Sequence, residues 1–248
     1  MTGLVDLTGT GTPEQVWRAW PGLSELPVVS PPPRNRLVVV APHPDDEVLG
    51  VGGLMAIRPP QLLIGVTGGE GSHPGSTVTG EQLRARRRRE RAAGLDQLDA
   101  TGTQVLELSH PDGAVEEELL TEQLAGLLTA TDLCLATWRH DGHPDHDTVG
   151  RAAARACASL GAVLWEYPVW TWHWAGPADP RIPWHRLHRI ELDPAVRAAK
   201  AAALAQFTSQ TTALGPDHAD RAVLPPHVLE RFDRPAEFVL LPAAGGSA

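Results

Sequence analysis

Three observations predict an α/β fold, a Rossmann-like three-layer sandwich with a mostly parallel central sheet. Apolar, β-rich runs alternate with helical patterns from Arg36 onward, these runs are continuous rather than alternating in polarity, and the two stretches richest in His and Asp each follow one of them. Continuous apolar strands are expected where helices cover both faces of a sheet. The alternation itself builds right-handed βαβ units. A chain of 248 residues with 42% hydrophobic residues can bury one substantial core.

In chain order, Thr12-Pro13-Glu14-Gln15 predicts a short helix, with Thr12 as N-cap and Pro13 at the first helical position. Val16, Trp17 and Trp20 give it an apolar side, and Pro27 to Pro33 predicts an extended connector. Residues 1–34 are therefore expected to be an N-terminal extension, 35–242 a single domain and 243–248 a flexible tail. Within the domain, strands are predicted at 36–41, 61–67, 104–108, 131–137 and 161–167. Helices are predicted at 47–57, 80–99, 115–130, 146–160 and 194–206. Beyond residue 168 the pattern loosens into a Trp-, Pro- and Gly-rich loop reaching Pro183, with further strands expected at 188–192 and 237–241.

The formal net charge of -9 argues against general affinity for nucleic acid or anionic membrane. The first residues lack a basic and an apolar segment of a secretion signal, and no apolar run approaches the ~20 residues that cross a bilayer. A cytoplasmic protein is expected, without nucleic-acid or membrane partners; a homo-oligomer is compatible with the sequence. Cys134 and Cys157 have no CxxC partner and are expected as buried thiols.

His43-Pro44-Asp45-Asp46-Glu47 follows the run Leu37–Ala41, and His143-Pro144-Asp145-His146-Asp147 follows Leu133–Trp138. The C-terminal edge of an open α/β sheet is where such folds place their chemistry. A catalytic zinc site takes three nitrogen or oxygen ligands and keeps a position open for water. His43 and Asp46 lie three apart in one post-strand loop, and His146 completes a His-Asp-His set. Asp45 is left beside the metal, free to act as a base, and His143 with Asp145 forms a neighbouring imidazole–carboxylate pair. The carboxylate is expected to favour the imidazolium and fix its orientation. As an alternative, Asp46, Glu47, Asp145 and Asp147 would only favour helix N-termini through the dipole.

Ala41-Pro42-His43-Pro44-Asp45-Asp46-Glu47, with glycines at 50, 52 and 53, resembles the first signature of the LmbE-like (PIG-L) zinc-dependent N-deacetylases, and His143-Pro144-Asp145-His146 resembles their second. The resemblance covers about residues 36–168 well and the rest loosely. It implies a hydrolase that removes the N-acetyl, or another N-acyl, group from an amino sugar such as GlcNAc or a GlcNAc-bearing conjugate. It implies His43, Asp46 and His146 as ligands of one zinc ion per chain, Asp45 as general base, and His143, oriented by Asp145, as oxyanion stabiliser. Iron, cobalt or nickel would suit the same ligands. Arg87, ahead of Glu90, matches a family arginine that contacts substrate hydroxyls or phosphate, and Asp112 matches an aspartate that binds a sugar hydroxyl. One departure stands out: where the mycothiol-pathway members carry a tyrosine two residues before the histidine, this chain has Asp141, which weakens that substrate and leaves Asp141 as an electrostatic or substrate-side contributor.

The remaining features have plainer readings. Arg84 to Arg91 holds seven arginines or glutamates in eight positions and is expected to be a solvated helix face. His110-Pro111-Asp112-Gly113 reads as a turn rather than a metal site, and Gly68–Ser72 as a mobile loop over the site. Trp170 and Trp172 are expected as an aromatic wall against a sugar or acyl chain. The rival functions are a metal-dependent amidase acting on a non-sugar amide or thiol conjugate and, from another class, a non-catalytic sugar- or metal-binding protein on the same scaffold. A phosphoesterase is disfavoured because only one metal's ligands are visible.

Overall fold

The computed structural model describes residues 9–32 and 35–243, so part of the expected Pro-rich connector and nearly all of the expected tail lie outside the described residues. Helices α1 (Glu14–Ala19) and α2 (Gly22–Glu25) precede strand β1 (Arg36–Ala41). Then follow α3 (Asp46–Ile57), β2 (Leu62–Gly65), α4 (Gly80–Gln97), β3 (Gln104–Glu107), α5 (Glu117–Leu127), β4 (Asp132–Thr137), α6 (Pro144–Leu160) and β5 (Val163–Tyr167). The C-terminal part adds α7 (Thr171–Trp174), β6 (Leu187–Glu191), α8 (Pro194–Leu204), α9 (Thr208–Thr211), α10 (Pro226–Leu229) and β7 (Ala236–Leu240).

The seven strands form one sheet in the order β3-β2-β1-β4-β5-β7-β6. β1 to β5 run parallel, whereas β7 pairs antiparallel with both β5 and β6. The expected α/β architecture is thus present, with an antiparallel edge added by the C-terminal third. Alternate residues of the central strands enter two separate cores. Leu37, Val39 and Leu135 pack with Val48, Leu49, Leu95 and Ala203 under α3, α4 and α8. Val38, Val40 and Ala136 pack with Leu120, Leu124, Val149 and Ala152 under α5 and α6. Burial on both faces is why these strands read as unbroken apolar runs. Cys134 and Cys157 are free, buried thiols of the second core.

Helix boundaries follow local chemistry. α4 starts on a capping box, in which Thr79 Oγ1 accepts from the Gln82 N–H and Gln82 Oε1 accepts from the Thr79 N–H. α6 has Pro144 in its first turn and ends at Gly161, whose φ of 72° suits a residue without Cβ. α3 is broken at Val51, with φ -139°. There Glu237 accepts from the Gly53 and Leu54 N–H groups, and Lys200 donates to both Leu49 O and Glu237. These bonds satisfy the backbone groups that the break releases. Gly50 lies so close to the Tyr167 ring that a Cβ would sit 2.2 Å from it.

The segment expected to be an extension packs onto the domain in its described part. Trp17 is fully buried in the first core, and its indole N–H donates to Trp172 O. The Glu14 carboxylate, buried with Arg234, holds α1 against the C-terminal segment at 2.7 Å. Among the described residues no helix is long and apolar enough to cross a membrane.

Candidate active site

The strand order reverses between β1 and β4, which are neighbours in the sheet, with β2 next to β1 and β5 next to β4. This switch point opens a crevice at the C-terminal ends of the two strands. The loop after β1 delivers His43 and Asp45, and α3 starts at Asp46; His143 caps α6, whose first turn delivers Asp145 and His146. Asp45 caps α3 with φ 134°, a region that side chains with a Cβ rarely adopt. Such strain persists only where surroundings over-determine it. Here the Asp45 N–H donates to Glu47 at 3.2 Å, and Glu47 is locked to Arg91 at 2.9 Å, which in turn binds Glu107 at 2.7 Å.

The expected ligand atoms of His43, Asp46 and His146 lie within 4.8 Å of one another. His146 donates from Nδ1 to Asp141 Oδ2 at 2.8 Å. Its Nε2 is buried, has no hydrogen-bond partner, and stands 3.2 Å from Asp46 Oδ2. A buried imidazole nitrogen set against a carboxylate and near a second histidine is a donor set that fits a divalent transition ion. His43 shares a second such set with His143 and Asp145. Its Nδ1 lies 3.1 Å from Asp46, and its Nε2 3.1 Å from Asp112 and 3.2 Å from Asp145. The turn at His110–Gly113 thus brings Asp112 to the site. Asp112 also accepts from the Gly71 N–H, and the Gly113 N–H donates to Asp145 at 2.8 Å.

The protonation equilibria follow from this crowding. Burial works to lower His43, but hydrogen bonds with Asp112, Asp145 and Asp46 prevail and leave it well above the usual imidazole range. His146 is likewise opposed by burial yet raised to about 9 by Asp46 and Asp141. Burial and then the charge of Asp46 push Asp45 well above the ordinary carboxylate range. Burial, followed by the charges of His146 and His43, lowers His143 to about 3.

His143 departs from expectation. Asp145 was expected to turn to its ring and favour the imidazolium, but the carboxylate points to His43 and the Gly113 N–H instead. His143 Nδ1 accepts from the Asp145 backbone N–H at 3.2 Å, capping α6. The ring is therefore neutral, with its proton on Nε2.

His43, Asp45, Asp46 and His143 line a cleft of about 320 Å³, with His146 buried behind them. Arg87, Asp112 and Trp170 line it, beside Gly69, Gly71 and Ser72 of the loop after β2. Trp170 stacks on His143 with an interplanar angle of 20°. Trp172 does not line the cleft: it is 3% exposed, packed edge-on to Trp17 at 5.2 Å, and belongs to the core, because residues two apart on a helical turn point about 200° from each other. Asp141 is also wholly buried rather than on the substrate side. Its Oδ1 accepts from the Val169 and Thr171 N–H groups and from Thr171 Oγ1, and its Oδ2 from Trp170 N–H and His146. Nor is Arg84–Arg91 a uniformly solvated face. Arg87 and Arg91 are 1% and 2% exposed, since they face the cleft and the Glu47–Glu107 pair.

Sequence reasoning missed Gln210, Val223 and Leu224, which complete the cleft wall from the C-terminal third. No motif or periodicity marks them; only the return of the chain over α4 brings them there. A larger concavity of about 1000 Å³ lies beside α1 and β6, lined by Trp17, Trp20, Phe238 and several ion pairs, and contains none of the His-Asp groups.

Residues 38–157 match the family model described as PIG-L, GlcNAc-PI de-N-acetylase. No protein of curated function matches the chain in sequence. Among solved structures, an N,N'-diacetylchitobiose deacetylase from Pyrococcus horikoshii is 19% identical, with a TM-score of 0.53 over 78% of this chain and 79% of that one. The A40926 pseudoaglycone deacetylase is 22% identical, with a TM-score of 0.58 over 84% and 97%. GalB, a 4-carboxy-2-hydroxymuconate hydratase from Pseudomonas putida, is 18% identical, with a TM-score of 0.54 over 71% and 80%. At these identities the likeness is one of fold, and that fold carries more than one chemistry. Residues 38–157, which hold both His-Pro-Asp clusters on adjacent strands of the sheet, form a PIG-L (LmbE-like) family domain.

Proposed function

We propose that this protein is a zinc-dependent N-deacetylase acting on an N-acetylated amino sugar, such as GlcNAc or a GlcNAc-bearing conjugate. The observation that carries the reading is the grouping of a His-Asp-His ligand set, a strained buried carboxylate and a neutral imidazole donor on one cleft. Family membership and the deacetylases among its structural neighbours support it.

His43, Asp46 and His146 would hold the zinc ion. When bound, it would lower the pKa of its water to ~7 and polarise the acyl carbonyl. Asp45 accepts the proton of the attacking water; its raised affinity for protons suits a general base. His143 donates from Nε2 to the carbonyl oxygen as negative charge develops there, a role that a neutral ring fulfils. Asp45, having gained a proton, returns it to the departing amine. Trp170 offers its face to the sugar or acyl group, while Arg87 and Asp112 present a donor and an acceptor to hydroxyls. Three nitrogens of Arg87 already bind Ser209 Oγ, Gly69 O and Ser72 Oγ, so its remaining N–H groups serve the substrate.

Acetate release tests the reading. Zinc-loaded protein is presented with GlcNAc, a GlcNAc glycoside, a GlcNAc-bearing glycopeptide and a non-sugar N-acetyl amine. Zinc-dependent release from a sugar substrate supports the proposal. Release from the non-sugar amine alone favours the amidase, and stoichiometric zinc binding without any release favours the binding protein.

A further inference from the structure

Gln210 enters the cleft from a part of the chain beyond residues 38–157 and is held from three directions. Glu90 of α4 accepts from the Ser209 N–H at 2.8 Å, Ser209 Oγ at 2.6 Å and Thr208 Oγ1 at 2.9 Å, pinning α9. The Gln210 carbonyl accepts from the Leu224 N–H at 2.8 Å, tying α9 to the wall that Val223 and Leu224 form. Finally, Gln210 Nε2 donates to the carbonyl of Pro44, the residue immediately before Asp45.

That last contact decides which way the amide faces. A carbonyl can only accept, so the nitrogen must face Pro44 and the oxygen must face away from it. Among the described residues no donor reaches Oε1, and it is not a buried orphan. The side chain is nonetheless almost fully buried and braced. Asp45, Arg87, His143 and Leu224 line the same cleft. The result is a braced neutral acceptor tied to the residue that precedes Asp45.

Resting on the deacetylase reading, we infer that Gln210 Oε1 accepts a hydrogen bond from a substrate N–H or hydroxyl adjacent to the scissile acyl group, which makes Gln210 a specificity-determining residue. A bound substrate lacking that donor leaves the acceptor unmatched, the situation in which polar sites discriminate best. This also assigns a purpose to Glu90: it is a positioning residue that places the acceptor.

The test is Gln210→Met, which keeps the length of the side chain and removes the acceptor. Wild type and variant, each zinc-loaded, are compared for acetate release from a methyl glycoside of GlcNAc and for calorimetric binding of the corresponding glucosamine glycoside. Zinc content and Tm are measured alongside. The expected result is unchanged zinc stoichiometry, a KM raised by about 3- to 10-fold, product affinity weakened by a similar factor, and a nearly constant kcat. Values within about 1.5-fold of wild type in an active enzyme overturn the role of Gln210 while leaving the deacetylase reading intact. A loss confined to kcat and zinc content, with product affinity unchanged, also overturns it, because Gln210 would then act only as a brace for Pro44. Wild-type protein that neither turns over nor binds these sugars overturns the deacetylase reading and this inference with it.

Discussion

Replacing Asp141 by Asn isolates what this carboxylate does, because the substitution alters no volume and changes the hydrogen-bonding character of one atom. Asp141 receives five hydrogen bonds on two oxygens, three on Oδ1 and two on Oδ2. An asparagine that keeps its oxygen at the Oδ1 position turns an NH2 group towards the Trp170 N–H and the His146 Nδ1–H. The imidazole relieves its half of that conflict by moving its proton to Nε2, the nitrogen that would otherwise face the metal. The opposite amide orientation spares His146 and leaves two or three donors of residues 169–171 unmatched. Each unmatched buried donor costs roughly 1–3 kcal/mol, so the first arrangement, with one, costs about 1–3 kcal/mol and the second, with two or three, about 2–9 kcal/mol. At the lower cost, a domain of this size has its Tm lowered by roughly 2–12 °C. Loss of such an outer-sphere carboxylate weakens metal binding by about 10- to 100-fold. Competition with a chromophoric zinc chelator, read beside thermal unfolding, measures both quantities. Zinc affinity within about twofold of wild type in the folded variant would refute the assignment of Asp141 as the group that fixes the His146 tautomer.

Asp45→Asn is expected to retain zinc and to slow acetate release by roughly 10²- to 10⁴-fold; unimpaired turnover would remove Asp45 from the role of base. The two tryptophans separate wall from core. Trp172→Ala should cost about 3–5 kcal/mol of stability, whereas Trp170→Ala should raise KM several-fold with a smaller loss in Tm, and equal Tm losses in denaturation curves would contradict the distinction. Buried Asp132, which accepts from Arg36 and from the Thr129 N–H, is held below the ordinary carboxylate value: burial alone would raise it, but the Arg36 hydrogen bond and the Thr129 N–H outweigh burial. A lowered folded-state value means that its contribution is complete above the unfolded pKa of ~3.9 and is lost as pH falls below it. Asp132→Asn should therefore destabilise the protein at pH 7, with the difference from wild type narrowing below about pH 4; a gap constant with pH in urea titrations would argue against this.

The fold class was legible because burial on both faces leaves its mark directly on composition. Leu37–Ala41 and Leu133–Thr137 could be read as central strands from their unbroken apolar character alone, and the His-Pro-Asp clusters marked where each strand ends. Both clusters are local features, and one helix turn or one tight loop is enough to set His43 near Asp46, or His143 beside His146. What lay beyond the sequence depended on contacts between distant segments. Trp170 and Trp172 are two residues apart and were indistinguishable by type; only the packing of α7 against Trp17 sends one to the core and leaves the other on the cleft. Arg91 looked like a member of a solvated face until Glu47 and Glu107 met it.

By itself, the sequence determined the chemistry available to this protein: which side chains stand at the ends of β1 and β4, and that these strands carry helices on both faces. Hydrophobic periodicity and short-range loop geometry are properties of a few neighbouring residues, so they survive in one dimension. The tertiary structure alone decided that β1 and β4 lie side by side at the switch point, that Asp145 serves His43 rather than His143, that Asp141 fixes His146 from within the core, and that Gln210 completes the cleft. Each of these joins groups 5 to 166 positions apart in the chain through hydrogen bonds or strand pairing. Such pairings are selected by the packing of the whole domain, and no local pattern encodes them.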